Sequence, residues 1–363
     1  MTDAPLLLTP GPLTTDPAVR GAMLDDWGSR DPAFIALTFE MRQRLVAVAR
    51  GEGSHVAVPI QGSGTYALEA AAGTLLGPED TLLVLINGAY GERMAAIATR
   101  LGHRVETMRW DESDPVDPVA VAQRLAADSA ISHVALVHVE TTTGLLNPLE
   151  EVARAVAAEG RLLIVDAMAS FGALPIDLRT LPAAAVLASS NKCLEGTPGI
   201  GFALVDRAVL AGYAGRSASM SLDLHAQWQG FEANGQWRFT PPVQVVAALV
   251  EALRRLEAEG GPAARLARYT ANLETLLRGT AALGIELYLD AKLQAPIIAT
   301  FRSPAGFDFH AFYAALAAAG FVIYPGKLTR GDSFRIGCIG AIPPGAFDRL
   351  VAALGPALAA ARS

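Results

Sequence analysis

A lysine with two flanking apolar runs is the first feature of the sequence that could do chemistry. Lys192 lies between residues 183–188 and 200–205, and its immediate neighbours are mostly small. Burial between two such strand-like runs removes water from the amine, which lowers its pKa and frees it to attack a carbonyl carbon. A lone lysine is more often a surface loop residue, so the interpretation depends on the groups that accompany it.

An aspartate and a glycine-rich turn accompany this lysine. Asp166 ends the apolar run 162–165, and by itself it would be interpreted as a helix cap. The Gly-Ser-Gly-Thr turn at 62–65 precedes an alanine-rich helix whose first N–H groups favour an anion. By itself the turn would be only a connector. A reactive lysine, an acid for a pyridinium nitrogen and a phosphate site are together what pyridoxal phosphate requires.

Composition excludes several classes of protein. The chain has 363 residues, a net charge of −7 and no basic block, which argues against nucleic acid as a partner. No apolar run reaches the roughly 18 residues of a membrane span, and no secretory signal is visible, so we expect no membrane association. Cys193 and Cys338 lack CxxC spacing and the histidines show no ligand pattern, so we expect no disulfide framework, no metal site and a cytoplasmic location.

Short apolar strands alternate with helices from residue 56 to residue 206. This pattern predicts an α/β fold with a mostly parallel sheet covered on both faces. Ligand groups should gather at the carboxyl ends of its strands. The polar or aromatic residues predicted at that edge are Ser63, Tyr90, Thr142, Thr143, Asp166 and Lys192.

The pattern loosens after residue 206. Residues 217–236 show no clear periodicity and stay unassigned, whereas 244–259 and 265–283 predict long helices, the second with arginines on its polar face. We place a domain boundary among these helices. A small α+β domain follows, with strands predicted at 286–289, 297–301, 322–324 and 334–339 and a helix at 309–319.

Arg335 is a charged residue inside the apolar strand 334–339. A buried arginine needs an anionic partner, and a guanidinium can hold a carboxylate or phosphonate with two hydrogen bonds. The strand therefore indicates either a substrate-anion site or a structural ion pair.

Several motifs occur in the order typical of one enzyme family. They are Thr-Pro-Gly-Pro at 9–12, Gly-Ser-Gly-Thr at 62–65, Asn-Gly-Ala-Tyr-Gly at 87–91, Glu-Thr-Thr-Thr-Gly at 140–144, Val-Asp-Ala-Met-Ala-Ser at 165–170, Ser-Ser-Asn-Lys-Cys-Leu-Glu-Gly at 189–196, Arg-Phe-Thr-Pro-Pro at 238–242, Tyr-Pro-Gly-Lys-Leu at 324–328 and Phe-Arg-Ile-Gly-Cys-Ile-Gly at 334–340. From Leu6 to about Gly340 the chain resembles the 2-aminoethylphosphonate–pyruvate transaminases, a branch of the class V aminotransferases among the fold-type I pyridoxal phosphate enzymes.

The resemblance implies a fold and a set of roles. The fold would be a large, mostly parallel seven-stranded sheet domain covered by helices and a smaller C-terminal α+β domain, with residues 1–20 as an N-terminal arm, 21–255 as the cofactor-binding domain and 256–363 as the small domain. Lys192 would bond to pyridoxal 5'-phosphate and move the proton. At the cofactor ring, the resemblance implies that Asp166 pairs with the nitrogen, Tyr90 stacks on the ring, and Thr143 contacts the ring hydroxyl with Asn191 beside it. At the phosphate it implies Ser63, Gly64 and Thr65, together with Thr240 from a second subunit. Arg335 would bind the substrate anion.

The resemblance also implies an activity and a partner. A homodimer would transfer the amino group of 2-aminoethylphosphonate to pyruvate and release phosphonoacetaldehyde and L-alanine. Arg30 varies in residue type within the family and could bind the phosphonate or alter substrate choice. An alanine– or serine–glyoxylate aminotransferase, a cysteine desulfurase and a non-catalytic pyridoxal phosphate-binding regulatory protein are the alternatives. The desulfurase fits less well, because Cys193 adjoins the lysine and Cys338 lies in an apolar strand.

Overall fold

The computed structural model describes residues 4–329 and 331–362 of the chain. The strands are β1 Leu6–Leu7, β2 His55–Gly62, β3 Thr81–Ile86, β4 Arg104–Arg109, β5 His133–Val137, β6 Val139–Glu140, β7 Leu145–Leu146, β8 Leu162–Asp166, β9 Ala185–Ser189, β10 Gly199–Asp206, β11 Ile298–Arg302, β12 Phe321–Val322, β13 Tyr324–Pro325 and β14 Ser333–Gly337. The helices are α1 Pro17–Gly21, α2 Pro32–Val48, α3 Gly64–Leu75, α4 Ala89–Arg100, α5 Pro118–Ala127, α6 Leu149–Ala158, α7 Arg207–Ala211, α8 Leu224–Asn234, α9 Val243–Glu259, α10 Gly261–Ala282, α11 Phe309–Ala318 and α12 Ala346–Ala360.

A seven-stranded sheet forms the centre of the molecule, in the order β2-β10-β9-β8-β5-β3-β4. Only β10 runs against its neighbours, and the other strands are parallel. The mostly parallel α/β sheet expected from the sequence is therefore confirmed. Six of the strands point their carboxyl ends to one edge, where side chains that follow them can meet.

Both faces of this sheet are buried, which explains its nearly continuous apolar strands. Along β3, Leu83 and Leu85 pack in one core with α2, α5, α6 and α9. The alternate residues Leu82 and Val84 pack in a second core with α3, α4 and α8. The period of two in a strand places these neighbours on opposite faces.

The C-terminal part contains a three-stranded antiparallel sheet, in the order β11-β14-β13. Its apolar core also takes side chains from α10, α11 and α12. The N-terminal segment joins this part, because β1 pairs in parallel with β12. The assignment of residues 1–20, 21–255 and 256–363 to an arm and two domains remains a prediction.

One predicted strand is absent from the structure, and helices α8 and α12 were not predicted. The strand predicted at 286–289 does not form, and only a bridge between Leu287 and Phe301 occurs there. Residues 217–236, for which the sequence predicts no element, contain α8, whose buried side chains include the polar Gln227 besides Leu224, Trp228 and Phe231, so its apolar pattern is interrupted. Helix α12 was not predicted, although its buried leucines follow helical spacing.

Among residues 4–329 and 331–362, no helix is both long and apolar enough to cross a bilayer.

Candidate active site

A cavity of about 160 Å³ opens at the carboxyl edge of the large sheet. Segments that follow β2, β3, β5, β8 and β9 all contribute to its wall. The lining residues are Gly11, Ser63, Gly64, Thr65, Leu68, Tyr90, Arg93, Val137, Val139, Thr141, Asp166, Met168, Ala169, Ser189, Asn191 and Lys192. The structure thus brings together seven of the predicted site residues: Ser63, Gly64, Thr65, Tyr90, Asp166, Asn191 and Lys192.

Lys192 follows β9 and projects into this cavity from a tight turn. The turn is closed by the Glu195 N–H, which donates to the Lys192 carbonyl at 2.8 Å. Burial lowers the pKa of the Lys192 amine; the negative charge of Asp166 opposes this effect and the positive charge of Arg335 adds to it. Since its Nζ makes no hydrogen bond to the described residues, the amine is free to react.

Asp166 is the last residue of β8 and is buried beside the lysine. Its Oδ1 accepts a hydrogen bond from the Met168 N–H at 3.0 Å, whereas its Oδ2 is buried without a hydrogen-bond partner among the described residues. Burial raises the pKa of this carboxyl from 3.8 to about 6, although the Met168 N–H and the Lys192 amine act in the opposite direction. A protonated ring nitrogen would supply the missing donor.

The turn between β2 and α3 has an open helix N-terminus. Ser63 is the N-cap of α3, yet its hydroxyl makes no capping hydrogen bond. A Cβ at Gly64 would collide with the Met168 side chain, and Gly62 has a φ of 132°, a conformation that favours glycine. The free hydroxyl and the first N–H groups of α3 suit a phosphate. Together with the unpaired Asp166 oxygen and the free Lys192 amine, they fit pyridoxal phosphate.

Tyr90 is held at the cavity wall by a buried carboxylate. The Tyr90 N–H, in the first turn of α4, donates to Glu140 Oε2 at 3.1 Å. The other oxygen of Glu140 accepts from the N–H and hydroxyl of Thr142 at 3.2 and 2.8 Å. Burial raises the pKa of Glu140. The carboxylate therefore fixes the tyrosine backbone relative to the turn at 140–144.

Arg335 lies in β14, behind Thr141 of the cavity wall. Its Nε donates to the Pro325 carbonyl and its Nη1 to the Thr141 carbonyl, both at 3.0 Å. Burial lowers the pKa of this guanidinium, while two tyrosines and Glu140 act in the opposite direction. Among the residues that the structure describes, Arg335 has no ion pair and its Nη2 has no hydrogen-bond partner. The guanidinium therefore keeps one terminal nitrogen and its charge available for an anion.

Four predicted site residues do not line this cavity in the single chain: Arg335, which lies behind its wall, and Thr143, Thr240 and Arg30. Thr143 is fully buried, and its hydroxyl contacts the backbone of Glu140 and Leu145. Thr240 is exposed and lines a separate cavity of about 380 Å³. Arg30 is exposed in the turn before α2.

Nine of the lining residues were not predicted as site residues, and they include Thr141, Arg93, Met168 and Gly11. Arg93 could have been found, because it lies one helical turn after Tyr90, and its guanidinium sits 4.8 Å from the Tyr90 ring centre. Gly11 could not, since only the tertiary fold brings the N-terminal segment here. A Cβ at Gly11 would lie 2.6 Å from the Asn191 carbonyl oxygen and 2.7 Å from Lys192 Cδ.

Both cysteine side chains are fully buried. Burial raises the pKa of Cys193 to about 12, and its thiol donates to the Ala169 carbonyl at 3.2 Å. Burial also raises the pKa of Cys338 well above its usual range. Neither thiol has the exposed, low-pKa character of a nucleophile, which argues against cysteine desulfuration.

Known proteins with similar sequences point to the same chemistry as this geometry. Residues 33–330 match the Aminotransferase class-V family, whose members depend on pyridoxal phosphate. A 2-aminoethylphosphonate–pyruvate transaminase of Pseudomonas aeruginosa is 52% identical over 357 residues, which cover 98% of this chain and 96% of the relative.

Solved structures support the fold at lower identity. Ureidoglycine–glyoxylate aminotransferase from Bacillus subtilis superposes with a TM-score of 0.92 at 26% identity, covering 100% of this chain and 95% of that one. Alanine–glyoxylate aminotransferase from Nostoc sp. has a TM-score of 0.92 at 28% identity, with coverage of 99% and 96%. The chain is therefore a pyridoxal phosphate-dependent class V aminotransferase and belongs to the 2-aminoethylphosphonate–pyruvate transaminase family.

Proposed function

We propose that this enzyme moves the amino group of 2-aminoethylphosphonate to pyruvate and forms phosphonoacetaldehyde and L-alanine. The observation that carries the proposal is the buried Arg335 guanidinium, which has no ion pair among the described residues and lies behind the wall of the lysine cavity. The carbon that bears the amine in 2-aminoethylphosphonate has no carboxylate. An anion site at the far end of the substrate must therefore orient it.

Four groups of this chain would hold the cofactor. Lys192 would bond to it, Asp166 would keep the ring nitrogen protonated, Tyr90 would stack on the ring, and Ser63, Gly64 and Thr65 would bind the phosphate. Bound pyridoxal phosphate supplies the aldehyde that receives the amino group and a ring that withdraws electrons. Asn191 already lines the cavity, whereas Thr143 would contact the ring only if the turn at 140–144 moves, because its hydroxyl is held by backbone groups.

The protein would contribute proton transfer and orientation. The Lys192 amine, which lines the cavity, would act as the base and acid that removes a proton from one carbon of the substrate adduct and returns it to another. Its lowered pKa keeps part of the amine neutral for this work. Arg335 would hold the phosphonate in one half-reaction and the pyruvate carboxylate in the other, so one site serves both substrates in turn.

A comparison of amino donors tests the proposal. Cofactor-loaded protein would be supplied with 2-aminoethylphosphonate, L-alanine, L-serine or glycine as donor, and with pyruvate or glyoxylate as acceptor. We expect the highest kcat/KM for 2-aminoethylphosphonate with pyruvate, and no turnover by Lys192→Ala. A preference for amino acids with glyoxylate would instead support the second candidate, a glyoxylate-type aminotransferase, which the solved structures at 26% and 28% identity favour.

We also propose that the active form is a homodimer in which Thr240 reaches the phosphate of the partner chain. Thr240 is exposed, and its cavity also includes Gly62 and Tyr66 of the phosphate turn. Tyr66 and Phe239 are each 50% exposed beside it, which leaves apolar surface to cover. Mixing Lys192→Ala chains with Thr240→Ala chains should restore activity, because one site of each mixed dimer would be intact. No gain on mixing, despite exchange of subunits, would contradict a shared site.

The proposal has two further parts. A cytoplasmic location remains a prediction from the two unpaired cysteines. A role of Arg30 in substrate choice would also require the partner chain, since Arg30 does not line the lysine cavity of its own chain.

A further inference from the structure

One face of helix α10 carries four polar side chains at helical spacing. Arg268 and Tyr269 follow Arg265 by three and four residues, and Asn272 follows them by four and three, so the four side chains form a stripe along the helix. We had expected the arginines of this helix on a solvent-facing side. Arg265 is instead 2% exposed and Tyr269 is fully buried, which means that the stripe faces the interior of the protein.

The N-terminal end of the stripe holds the turn that contains the reactive lysine. Arg265 Nη1 donates to the Cys193 carbonyl at 2.8 Å. The buried Glu195 carboxylate accepts from the Tyr269 hydroxyl at 2.6 Å and from Arg268 Nη2 at 2.8 Å. Its second oxygen lies 3.7 Å from Arg265 Nη2. These contacts fix Cys193 and Glu195, which lie one and three positions after Lys192.

Glu195 has a backbone conformation that few residues other than glycine adopt. Its φ is 59°, in the left-handed region, and such a conformation persists only where surrounding contacts impose it. The Glu195 N–H closes the turn on the Lys192 carbonyl at 2.8 Å. The side-chain contacts of Glu195 therefore act on the backbone that carries the lysine.

The other end of the stripe holds the segment that follows the arginine strand. Arg268 Nη1 donates to the Gly340 carbonyl at 2.6 Å, and Asn272 Nδ2 donates to the Cys338 carbonyl at 3.0 Å. The Tyr269 oxygen also accepts from the Gly340 N–H at 3.5 Å. Arg268 and Tyr269 thus contact Glu195 and Gly340 at once.

We propose that Glu195 is a positioning residue that sets the separation between Lys192 and Arg335 and so selects substrates by the distance between their amino and anionic groups. The inference rests on the proposed function, since it assumes that the amine reacts at Lys192 while the anion binds Arg335. Arg268 and Tyr269 contact both the lysine turn and the segment after β14, and Glu195 accepts a hydrogen bond from each of them. A buried network with several directed hydrogen bonds allows few alternative arrangements, which keeps that separation narrow.

Glu259 provides a matched control within the same network. It binds Arg265 at 2.7 Å and Arg268 at 2.8 Å, so it balances the same two charges. It is nevertheless partly exposed and makes no hydrogen bond to the lysine turn or to the segment after β14. Loss of Glu259 would weaken the network without removing the link between the two segments.

The test compares substrates that differ by one methylene. Wild type, Glu195→Gln, Tyr269→Phe and Glu259→Gln, each loaded with cofactor, would be assayed with 2-aminoethylphosphonate and 3-aminopropylphosphonate. A well-shaped site discriminates against one methylene by roughly 10- to 200-fold in kcat/KM. We expect Glu195→Gln and Tyr269→Phe to reduce this ratio at least about fivefold, and Glu259→Gln to keep it within about twofold of wild type.

The ratio of the kcat/KM values for the two aminophosphonates separates a positioning role from a loss of stability, because loss of folded protein lowers the activity on both substrates equally. If Glu195→Gln and Tyr269→Phe lower both rates and leave the ratio unchanged, or if Glu259→Gln changes it as much, the proposal is wrong. If the wild type converts no aminophosphonate, the proposed function fails. The ratio of kcat/KM for L-alanine to that for β-alanine then tests the positioning role. A reduced ratio in Glu195→Gln and Tyr269→Phe supports the role, and an unchanged ratio contradicts it. Tyr269→Phe, which leaves every charge in place, covers the case in which Glu195→Gln does not fold.

Discussion

Replacement of Asp166 by asparagine should stabilise the cofactor-free protein while it impairs catalysis. The Asp166 carboxyl is 3% exposed, and its Oδ2 lacks a hydrogen-bond partner among the described residues. Burial raises its pKa from 3.8 to about 6. The folded state then binds more protons than the unfolded state across this window, so its stability falls as pH rises from about 4 to 6 and stays low above that.

The size of the change in stability follows from the pKa shift of Asp166. A change of about two pKa units corresponds to roughly 3 kcal/mol of destabilisation at pH 8, and to roughly 1 kcal/mol at pH 4.5. Asparagine removes this penalty and keeps an oxygen for the Met168 N–H, although its unpaired amide costs about 1 kcal/mol or more at every pH. The stability change caused by Asp166→Asn should thus be about 2 kcal/mol more favourable at pH 8 than at pH 4.5.

Denaturant unfolding of the cofactor-free protein at these two pH values measures this difference. The exposed Asp25→Asn serves as the control variant. With cofactor present, Asp166→Asn should lower kcat by about a hundredfold or more, on the scale of one lost charge-stabilising group. If Asp166→Asn changes the stability equally at pH 8 and pH 4.5, the carboxylate is not the desolvated, unpaired group described above.

Three further predictions concern other parts of the site. Arg335→Lys should raise KM for both 2-aminoethylphosphonate and pyruvate by about tenfold or more, because one ammonium cannot keep the contacts to the Pro325 and Thr141 carbonyls and also present a donor to the anion as the planar guanidinium does; an effect on only one substrate in steady-state kinetics would show that the site is not shared. Gly64→Ala should weaken cofactor binding in a titration, because the added Cβ meets Met168, whereas Gly21→Ala, whose Cβ meets nothing within 4 Å, should not; equal affinities would contradict the phosphate assignment. Cys193 and Cys338 should resist thiol reagents in the native protein at pH 8, because burial raises both pKa values above that pH; rapid labelling of either cysteine would contradict the buried structure.

The sequence predicted the central sheet and seven of the residues that line the cavity, because both depend on local patterns. Apolar strands such as residues 81–86 and 162–166 are buried on both faces, so composition alone identified them. Lys192, Asp166 and Ser63 each follow or end such a strand. The geometry of a parallel sheet then places them at one edge without any further information.

The remaining features depend on contacts between distant segments. Gly11 reaches the lysine only because β1 pairs with β12 in the C-terminal part. The charge of Arg265 in the sequence of α10 predicts a solvent-facing side chain. The sequence does not show that Glu195, 70 residues earlier in the chain, is its buried partner. Motif position predicted Thr143 at the cofactor ring, whereas the structure holds the Thr143 hydroxyl on backbone groups and places Thr141 in the cavity wall.

The most direct test of the proposed reaction is a single-turnover experiment with 2-aminoethylphosphonate. Cofactor-loaded enzyme, without any acceptor, is mixed with the phosphonate, and both the visible absorbance of the lysine-bound cofactor and the phosphonoacetaldehyde released are measured. We expect one aldehyde per Lys192, complete loss of the absorbance, and its recovery when pyruvate is added, with one L-alanine formed. Unchanged absorbance with 2-aminoethylphosphonate, in a protein that responds fully to L-alanine, would contradict the proposed substrate.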